Sequence, residues 1–301
     1  MKQLKSTAIL LLTAIIWGFA FVAQRVGIEY VGNFTFIATR YILGAISLIP
    51  IILIFEREEK NPEKLKRTIG FGMIAGLILF TASALQQFGI EITQSAGKAG
   101  FITGLYTVLV PIFGIFLKKR TNICTWIGAA FAVIGLYLLS VTKGESIGIG
   151  DIVLLIGAVF WTLHIIFIDS KVSVISPIKF SMTQFATSAV LGFIFALLFE
   201  QNAFTGIGDA LVPILYAGIM SSGVAYTCQI IGQKDANPTY AAIILSTESV
   251  FSAVGGALLL NEVMSIRGYI GCALMFTGIV ISQLKINKNV GANHDSPVGH
   301  S

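Results

Sequence analysis

Two charged side chains lie deep inside apolar stretches of this sequence, where a charge can bind a polar solute or exchange a proton. Glu248 stands near the middle of residues 238–262, a stretch whose only other charged residue is its last. A carboxylate at the midplane of a bilayer costs a few kcal/mol, so such a residue usually faces a protein interior or a wet cavity. There Glu248 can couple protons to the movement of a solute, bind the solute's amine, or complete a static network with Tyr226 or Gln229.

Arg40 is the second deep charge, about 10 Å into residues 34–55 at 1.5 Å per residue. Its guanidinium can contact the anionic group of a substrate. It can equally extend to the membrane surface or pair with Glu29 or Glu91, and this structural role is the favoured one. His164 is a third ionisable residue within an apolar stretch, although a lone histidine more often completes a hydrogen bond.

Aromatic, amide and hydroxyl side chains recur at helical spacing in six of the apolar stretches. In the first, Trp17 and Phe21 share one face. In the apolar stretch 210–232, offsets of four and seven residues put Tyr226 and Gln229 on the same helical face as Ser222. Any one of these groups can simply bond helix to helix, but aromatic walls with a few polar groups together describe a pocket for a small, partly polar molecule. The predicted substrate-binding residues are Thr13, Trp17, Phe21, Gln24, Gln86, Thr103, Tyr106, Trp161, His164, Tyr226, Gln229, Thr247, Glu248 and Ser252.

The composition of the chain shows which class of protein carries these residues. The chain has 301 residues, of which 55% are hydrophobic and 12% charged, whereas a soluble domain carries about 25% charged residues. Uncharged stretches long enough to cross a bilayer as helices exclude the alternating strands of a membrane barrel. We therefore predict an all-α integral membrane protein. Its ten predicted spans are 6–24, 34–55, 69–90, 99–117, 123–141, 151–169, 178–199, 210–232, 238–260 and 266–284.

The distribution of lysine and arginine predicts the orientation of the spans. The connections on one side hold most of these residues, and the other side has Arg25, Lys98, Lys143 and Arg267. The positive-inside rule then places both termini in the cytoplasm of a multi-pass plasma-membrane protein.

The second half of the sequence repeats the first at a nearly constant offset. A shift of 144 residues lays Trp17 over Trp161, and a shift of 143 lays Gln86 over Gln229. Each half has five spans, an odd number, so the second must lie inverted relative to the first. We expect inverted repeats at 1–145 and 146–285, followed by a disordered cytoplasmic tail at 286–301. Inverted repeats with a site at their interface are the architecture of alternating-access transporters.

Several motifs resemble those of the drug/metabolite transporter superfamily, EamA-type. They are WGFAF at 17–21 and ESVFSAVGGALLLNE at 248–262, within two halves of five spans. The resemblance implies the ten-helix fold and solute transport, most often the export of amino acids, metabolites or drugs. That family usually has proline where this chain has Ser249, so the resemblance leaves open whether the ninth helix is bent.

Other function classes find no support in the sequence. The HExxH and GxSxG motifs are absent, as is a glycine-rich phosphate loop with lysine, so we expect no enzyme activity, no cofactor and no metal. The net charge of +5 is explained by membrane topology and implies no nucleic-acid partner.

The sequence thus predicts a transporter that exports an amino acid or a related amphipathic compound, with protons coupled through Glu248 and Arg40 as a possible anion contact. One alternative is a passive facilitator or exchanger of phosphorylated or nucleotide-linked sugars. Another is a membrane scaffold or sensor that transports nothing. The expected partners are the small solute, the lipid bilayer and protons, with a monomer and a homodimer both left open.

Overall fold

A computed structural model describes residues 2–55, 61–93, 96–117, 122–140, 148–259 and 265–283, and in these ranges every regular element is a helix. The predicted all-α fold class is confirmed. The helices are α1 (Lys2–Gly27), α2 (Asn33–Phe55), α3 (Pro62–Thr93), α4 (Ala96–Gly104), α5 (Tyr106–Phe116), α6 (Ile123–Ser140), α7 (Ile149–Lys171), α8 (Pro177–Phe199), α9 (Leu211–Leu215), the π-helix π1 (Tyr216–Tyr226), α10 (Thr227–Gln233), α11 (Pro238–Leu245), α12 (Glu248–Leu259) and α13 (Ile266–Gln283).

Length and composition identify helices that can cross a bilayer. Within the described ranges seven helical stretches are long and apolar enough, counting Leu211–Gln233 and Pro238–Leu259 as one stretch each. Three further apolar helices are shorter. Large apolar side chains such as Ile46, Leu53 and Leu197 are more than half exposed, as expected for residues that face lipid. These features support a multi-pass membrane protein.

Hydrogen bonds between helix ends define two ends of the bundle. At the first, which we call the proximal end, Ser6 near the start of α1 donates to the carbonyl of Gly232 near the end of α10. At the opposite or distal end, Asn33 at the start of α2 donates to Glu91 near the end of α3. In the predicted orientation the proximal end faces the cytoplasm.

Glu200 connects α8 to α2 at the distal end. Its carboxylate accepts hydrogen bonds from the backbone N–H of Phe34 at 2.6 Å and of Thr35 at 3.2 Å, and from the Thr35 hydroxyl. The same hydroxyl oxygen accepts from the N–H of Phe204. A carboxylate at a helix start satisfies N–H groups that have no partner within the helix and interacts favourably with the helix dipole.

The predicted ninth span, 238–260, is interrupted at Ser246 and Thr247, between α11 and α12. The two hydroxyls donate to carbonyl oxygens three residues back, at 2.8 Å and 2.6 Å. Such bonds compete with the helical hydrogen-bond ladder and favour a tighter local turn. The span is therefore broken although residue 249 is serine and not proline. Glu262, beyond the end of α12, lies outside the described residues.

The predicted fourth span, 99–117, is also interrupted, at Leu105 between α4 and α5. Around this residue two backbone bonds reach back three residues, from Leu105 N to the Ile102 carbonyl and from Val108 N to the Leu105 carbonyl, and the latter carbonyl also accepts from Leu109 N. Pro111 lies six residues beyond Leu105 and has no N–H for the Thr107 carbonyl, which weakens the helix on the C-terminal side of the break.

Glycines set the distance between α6 and α13. A Cβ atom added to Gly128 would lie 2.5 Å from the carbonyl oxygen of Gly278, and one added to Gly278 would lie 2.6 Å from that of Gly128. The two backbones are therefore in direct contact, as at small-residue interfaces of other membrane helices.

The two predicted repeat units, 1–145 and 146–285, pack against each other along most of their helices. Helix α2 packs on α8, α3 on α7 and α8, α1 on α12, and α6 on α13. Any site on the axis of the bundle is consequently built from both halves. The predicted tail at 286–301 lies outside the described residues.

Candidate functional site

A narrow cavity lies in the middle of the bundle, where helices from both halves meet. We call it the central cavity. Its volume is about 30 Å³, which is room for one or two water molecules. Its lining consists of Trp17, Ala20, Phe21, Gln24, Arg40, Gln86, Thr103, Tyr106, Trp161, Ile165, Ser221, Tyr226, Gln229 and Glu248. The cavity therefore combines one carboxylate, one guanidinium, three carboxamides and five aromatic rings.

Three aromatic rings form one wall of the central cavity. The ring of Tyr226 lies 4.6 Å from that of Trp17 and 6.3 Å from that of Trp161, measured between centroids. The Trp17 indole N–H donates to the Ser221 carbonyl at 3.2 Å, and that of Trp161 donates to Oε1 of Gln86 at 2.9 Å. Because both indoles are fixed by hydrogen bonds, the wall presents preordered flat apolar faces.

Glu248 lies at the first residue of α12, directly after the interruption of the ninth span. It is 6% exposed, and its Oε1 accepts a hydrogen bond from the Tyr106 hydroxyl at 3.2 Å. Gly18 allows α1 to pack closely against the start of α12, since a Cβ atom at Gly18 would lie 2.8 Å from the Glu248 carbonyl oxygen. The backbone N–H groups of Ser249, Val250 and Phe251 already bond to the carbonyls of Ser246 and Thr247, so Tyr106 is the hydrogen-bond partner that the described residues give the carboxyl group.

Arg40 reaches the central cavity from α2 and is 4% exposed. Its Nη2 donates to the hydroxyls of Tyr41 and Ser83, and its Cζ lies 4.4 Å from the centroid of the Tyr41 ring. Its Nε has no hydrogen-bond partner. In this part of the described chain Arg40 bonds to neutral hydroxyls, and no ion pair joins it to Glu248, which bonds to Tyr106.

Two further cavity-lining groups carry unused hydrogen-bonding capacity. The Thr103 hydroxyl and the Oε1 atom of Gln229 are buried and have no partner. Buried polar atoms are nearly always satisfied by protein or water, so unsatisfied atoms in a cavity wall mark places where water or a solute binds.

The structure brings ten of the fourteen predicted substrate-binding residues to the central cavity, together with Arg40. It places the other four elsewhere. Thr13 donates to the Ile9 and Ala225 carbonyls in the contact between α1 and π1. Thr247 contributes to the helix interruption, and Ser252 lies one turn beyond Glu248, outside the cavity lining.

His164 is the fourth and lies behind the aromatic wall. Its ring is perpendicular to those of Trp161 and Tyr226, with centroids 6.1 Å away in both cases. Its Nε2 bonds to Oε1 of Gln184 at 3.0 Å, and its Nδ1 has no partner.

Three lining residues were missed by the sequence reasoning. Ala20 and Ile165 carry no polar signal, although each lies one turn from a predicted tryptophan. Ser221 was missed because the prediction assumed an α-helix, which puts Ser222 on the face of Tyr226. In π1 the backbone hydrogen bonds reach back five residues instead of four, and the Ser222 hydroxyl donates to the Ala217 carbonyl. This wider winding turns Ser221 toward the cavity.

A second, larger cavity lies beyond the central one at the distal end. We call it the distal recess. Its volume is about 320 Å³. Its lining consists of Arg25, Ile28, Glu29, Val31, Gly32, Asn33, Ile90 and Glu91. Among the residues that the structure describes, no group of three or more His, Cys, Asp or Glu could hold a metal ion.

The sequence matches one family model over nearly its whole length. The model describes an EamA-like transporter family, and it matches residues 4–141 and 148–284. The match therefore falls in two stretches that correspond to the two halves of the chain.

Full-length relatives and a solved structure agree with that match. An uncharacterized transporter of Archaeoglobus fulgidus is 26% identical over 95% of this chain and 88% of its own length. The uncharacterized transporter YoaV of Bacillus subtilis is 22% identical over 91% of this chain and 95% of its own. Protein WALLS ARE THIN 1 of Arabidopsis thaliana is 22% identical over 83% and 74%. A crystal structure with 18% identity has a TM-score of 0.77 and covers 92% of this chain and 96% of that one, which shows a shared fold.

Proposed function

Because the chain belongs to the EamA-like transporter family, we propose that it moves a small metabolite across the membrane by alternating access through the central cavity. The family and the transporters among its relatives support a membrane transporter role, consistent with a protein that is not an enzyme. The central cavity has room for one or two waters, so a solute can bind only after the lining helices move apart. Alternating access provides such a movement of the helices around the site.

The ten-span inverted repeat is part of this proposal. The two halves, 1–145 and 146–285, each contribute five spans in opposite orientations. Support comes from the two-stretch family match and from the paired interruptions. The shift of 143 residues that relates the halves lays Leu105 over Glu248. The fourth span is broken at Leu105, and the ninth is broken directly before Glu248, at Ser246 and Thr247. Among the described basic residues, Lys5 and Lys234 flank the Ser6–Gly232 contact at the proximal end, which supports cytoplasmic termini in a plasma-membrane protein.

The proposed substrate is an amino acid or a related amphipathic compound, which the protein exports. One observation carries this choice: Arg40 and Glu248 line the same aromatic-walled cavity without being paired to each other. Arg40 would receive the carboxylate, Glu248 the ammonium group, and the Trp17–Trp161–Tyr226 wall the apolar part. Phosphorylated sugars are disfavoured because Arg40 is the one cationic side chain in the described lining.

Ligand-induced stabilisation of the purified protein tests the substrate class. The panel contains an aromatic amino acid, the amine made by removing its carboxyl group, the acid made by removing its amino group, and a sugar phosphate. A ligand at 100 times its dissociation constant stabilises the native state by about 2.7 kcal/mol. We expect the amino acid to stabilise most. Glu248→Gln should abolish the preference for the amino acid over the acid, and Arg40→Gln its preference over the amine.

A larger shift with the sugar phosphate than with the amino acid would contradict the proposed class. Equal shifts for all panel members in the parent protein and in both variants would mean that neither charge recognises the solute.

Proton coupling through Glu248 needs its own measurement, because binding does not reveal it. In liposomes, solute flux through the parent protein should change between about pH 5 and about pH 8. Glu248→Gln should remove the flux or its pH dependence while the protein remains folded. A Glu248→Gln variant with the parent's flux at every pH would exclude coupling through this residue.

A further inference from the structure

Two oxygen atoms in the lining of the central cavity have no hydrogen-bond donor. They are the Thr103 hydroxyl and Oε1 of Gln229, and their residues are only 3% and 1% exposed. By contrast, the hydroxyl of Thr107, four residues after Thr103, donates to the Ala242 carbonyl. Since buried polar atoms are nearly always paired, each of the two oxygens is a place where a group with an N–H or O–H can bind.

The sequence repeat gives a reason for the free oxygen of Gln229. Gln229 aligns with Gln86 at a shift of 143, and Trp161 aligns with Trp17 at a shift of 144. The Trp161 indole donates to Oε1 of Gln86, so the equivalent donor for Gln229 is Trp17. The Trp17 indole donates instead to the Ser221 carbonyl in π1. The carboxamide of the first half is therefore used by the protein itself, whereas that of the second half keeps an acceptor in the cavity wall.

Two contacts place Thr103 beside Glu248. Three residues before Thr103, the Gly100 carbonyl accepts from the Ser249 hydroxyl at 3.3 Å. Three residues after it, the Tyr106 hydroxyl donates to Glu248 at 3.2 Å. Residues three apart share one face of a helix, so Thr103 faces the start of α12 between these contacts. A carboxylate can accept about four hydrogen bonds, and the one from Tyr106 leaves capacity for a solute.

We propose that Glu248, Thr103 and Gln229 together bind a primary ammonium group, one residue for each of its three N–H bonds, so that the site selects primary amines over N-methylated ones. The proposal rests on the proposed function, which gives the ammonium group to Glu248, and it adds two neutral acceptors and a selectivity. An ammonium group is close in size to a water molecule, and the cavity has room for one or two waters. Bound there, it supplies a donor to both unpartnered oxygens.

The aromatic wall by itself would favour a different solute. The faces of Trp17, Trp161 and Tyr226 attract any cation, and aromatic cages bind quaternary ammonium groups well. A quaternary ammonium group has no N–H, so burying it against Thr103 and Gln229 leaves both oxygens unsatisfied. Sites that pair a buried polar group with a donor strongly reject an analogue that lacks the donor. The two oxygens therefore decide in favour of the primary amine.

A series of N-methylated ligands tests this selectivity. The ligands are one aromatic amino acid and its N-methyl, N,N-dimethyl and N,N,N-trimethyl derivatives, which keep the positive charge and lose one N–H at each step. Thermal stabilisation of the purified protein, titrated with each ligand, gives the dissociation constants. We expect the first and second methyl groups each to raise the dissociation constant about ten-fold, because each leaves one buried oxygen without a donor. The third methyl group removes the bond to Glu248 and should raise it at least as much.

Two variants separate hydrogen bonding from the size of the methyl groups. Thr103→Val is nearly isosteric and Gln229→Met keeps the side-chain length, so each removes an acceptor and leaves the space for a methyl group almost unchanged. In each variant the first methyl group should no longer raise the dissociation constant, because two N–H groups then meet two acceptors. In the double variant the second methyl group should lose its effect as well.

Thr107→Val and Gln233→Met are the matched controls. The Thr107 hydroxyl has a partner, and Oε1 of Gln233 is buried and unpartnered like that of Gln229, but neither residue belongs to the described cavity lining. Both controls should keep the ten-fold steps of the parent protein.

Equal dissociation constants across the series in the parent would overturn the proposal, and so would tightest binding of the trimethyl derivative. These two results need no variant, so they decide the matter even where a variant fails to fold. Ten-fold steps that persist in Thr103→Val and Gln229→Met, with unfolding midpoints like the parent's, would also overturn it, because size would then explain the steps. In all three cases an amino acid still binds, and the proposed substrate class stands. Absence of binding by every ligand would contradict that class and this proposal with it, so the two failures are distinguishable.

Discussion

Close contact between α6 and α13 gives a prediction whose size can be worked out from the structure. In Gly128→Ala the new Cβ atom would lie 2.5 Å from the Gly278 carbonyl oxygen and 2.8 Å from Ser282 Cβ. Neither neighbour is the end of a flexible side chain, so the two helices must separate by several tenths of an ångström. Such overpacking of a close-packed interior typically destabilises by about 1–3 kcal/mol.

Gly70→Ala on α3 is the matched control, because a Cβ atom at Gly70 meets nothing within 4 Å. Alanine is favoured over glycine inside a helix by roughly 0.5–1 kcal/mol, and both variants gain this amount. The difference between the two variants therefore isolates the steric effect. We expect Gly70→Ala to be as stable as the parent or more stable, and Gly128→Ala to be less stable than Gly70→Ala by about 1–3 kcal/mol.

Reversible unfolding in mixed detergent micelles, followed by circular dichroism, measures this difference. If Gly128→Ala proves as stable as Gly70→Ala, the separation of α6 and α13 is not set by these glycines, and the reasoning is refuted. Gly278→Ala tests the same contact from α13, since its Cβ atom would lie 2.6 Å from the Gly128 carbonyl oxygen and should lower stability in the same way.

Three further substitutions test other parts of the structure. Glu200→Gln should lower the free energy of unfolding by about 1–2 kcal/mol, because it removes the negative charge from the start of α2. Asp209→Asn, in the same connection between α8 and α9, serves as the control. Equal unfolding midpoints for the two variants would contradict the expectation. Trp161→Phe removes the donor to Gln86 and should lower stability by about 1 kcal/mol, with a weaker ligand-induced shift; Trp126→Phe on α6 should change neither quantity. Pro111→Ala restores an N–H within reach of the Thr107 carbonyl, so it should raise the free energy of unfolding by about 1–3 kcal/mol and slow transport in liposomes. An unaltered transport rate would mean that Pro111 plays no part in the motion of the fourth span.

The sequence predicted much of the cavity lining because amphipathic periodicity survives in membrane helices. Trp17, Phe21 and Gln24 on one helix and Tyr226 and Gln229 on another were placed correctly by 3.6-residue spacing alone. The prediction assumed a continuous α-helix, and it missed a cavity-lining residue where the helix is a π-helix instead. The predicted face of Tyr226 carried Ser222, which was not among the predicted binding residues, whereas the serine of π1 that lines the cavity is Ser221.

Arg40 shows a different limit of sequence reasoning. Its depth was predictable from the length of the span, but its partners were not, because they depend on how α2 meets α3. The favoured expectation was a structural arginine at the surface or paired with a carboxylate. The structure shows a buried guanidinium that donates to Tyr41 and Ser83 and also lines the cavity. A sequence gives the chemical capacity of each side chain, whereas packing decides which partner uses it.

Glu248 shows how local structure accommodates a deep carboxyl group without an ion pair. The hydroxyls of Ser246 and Thr247 end α11 early, so that α12 begins at the carboxylate itself. The Tyr106 hydroxyl donates to this carboxyl group, and it is a neutral partner that a solute ammonium or a proton can outcompete. An ion pair with Arg40 would have bound the carboxylate more strongly and removed both charges from the cavity. In the function proposed above, recognition of a dipolar solute gains from keeping Arg40 and Glu248 apart, each with weaker neutral partners, until the solute arrives.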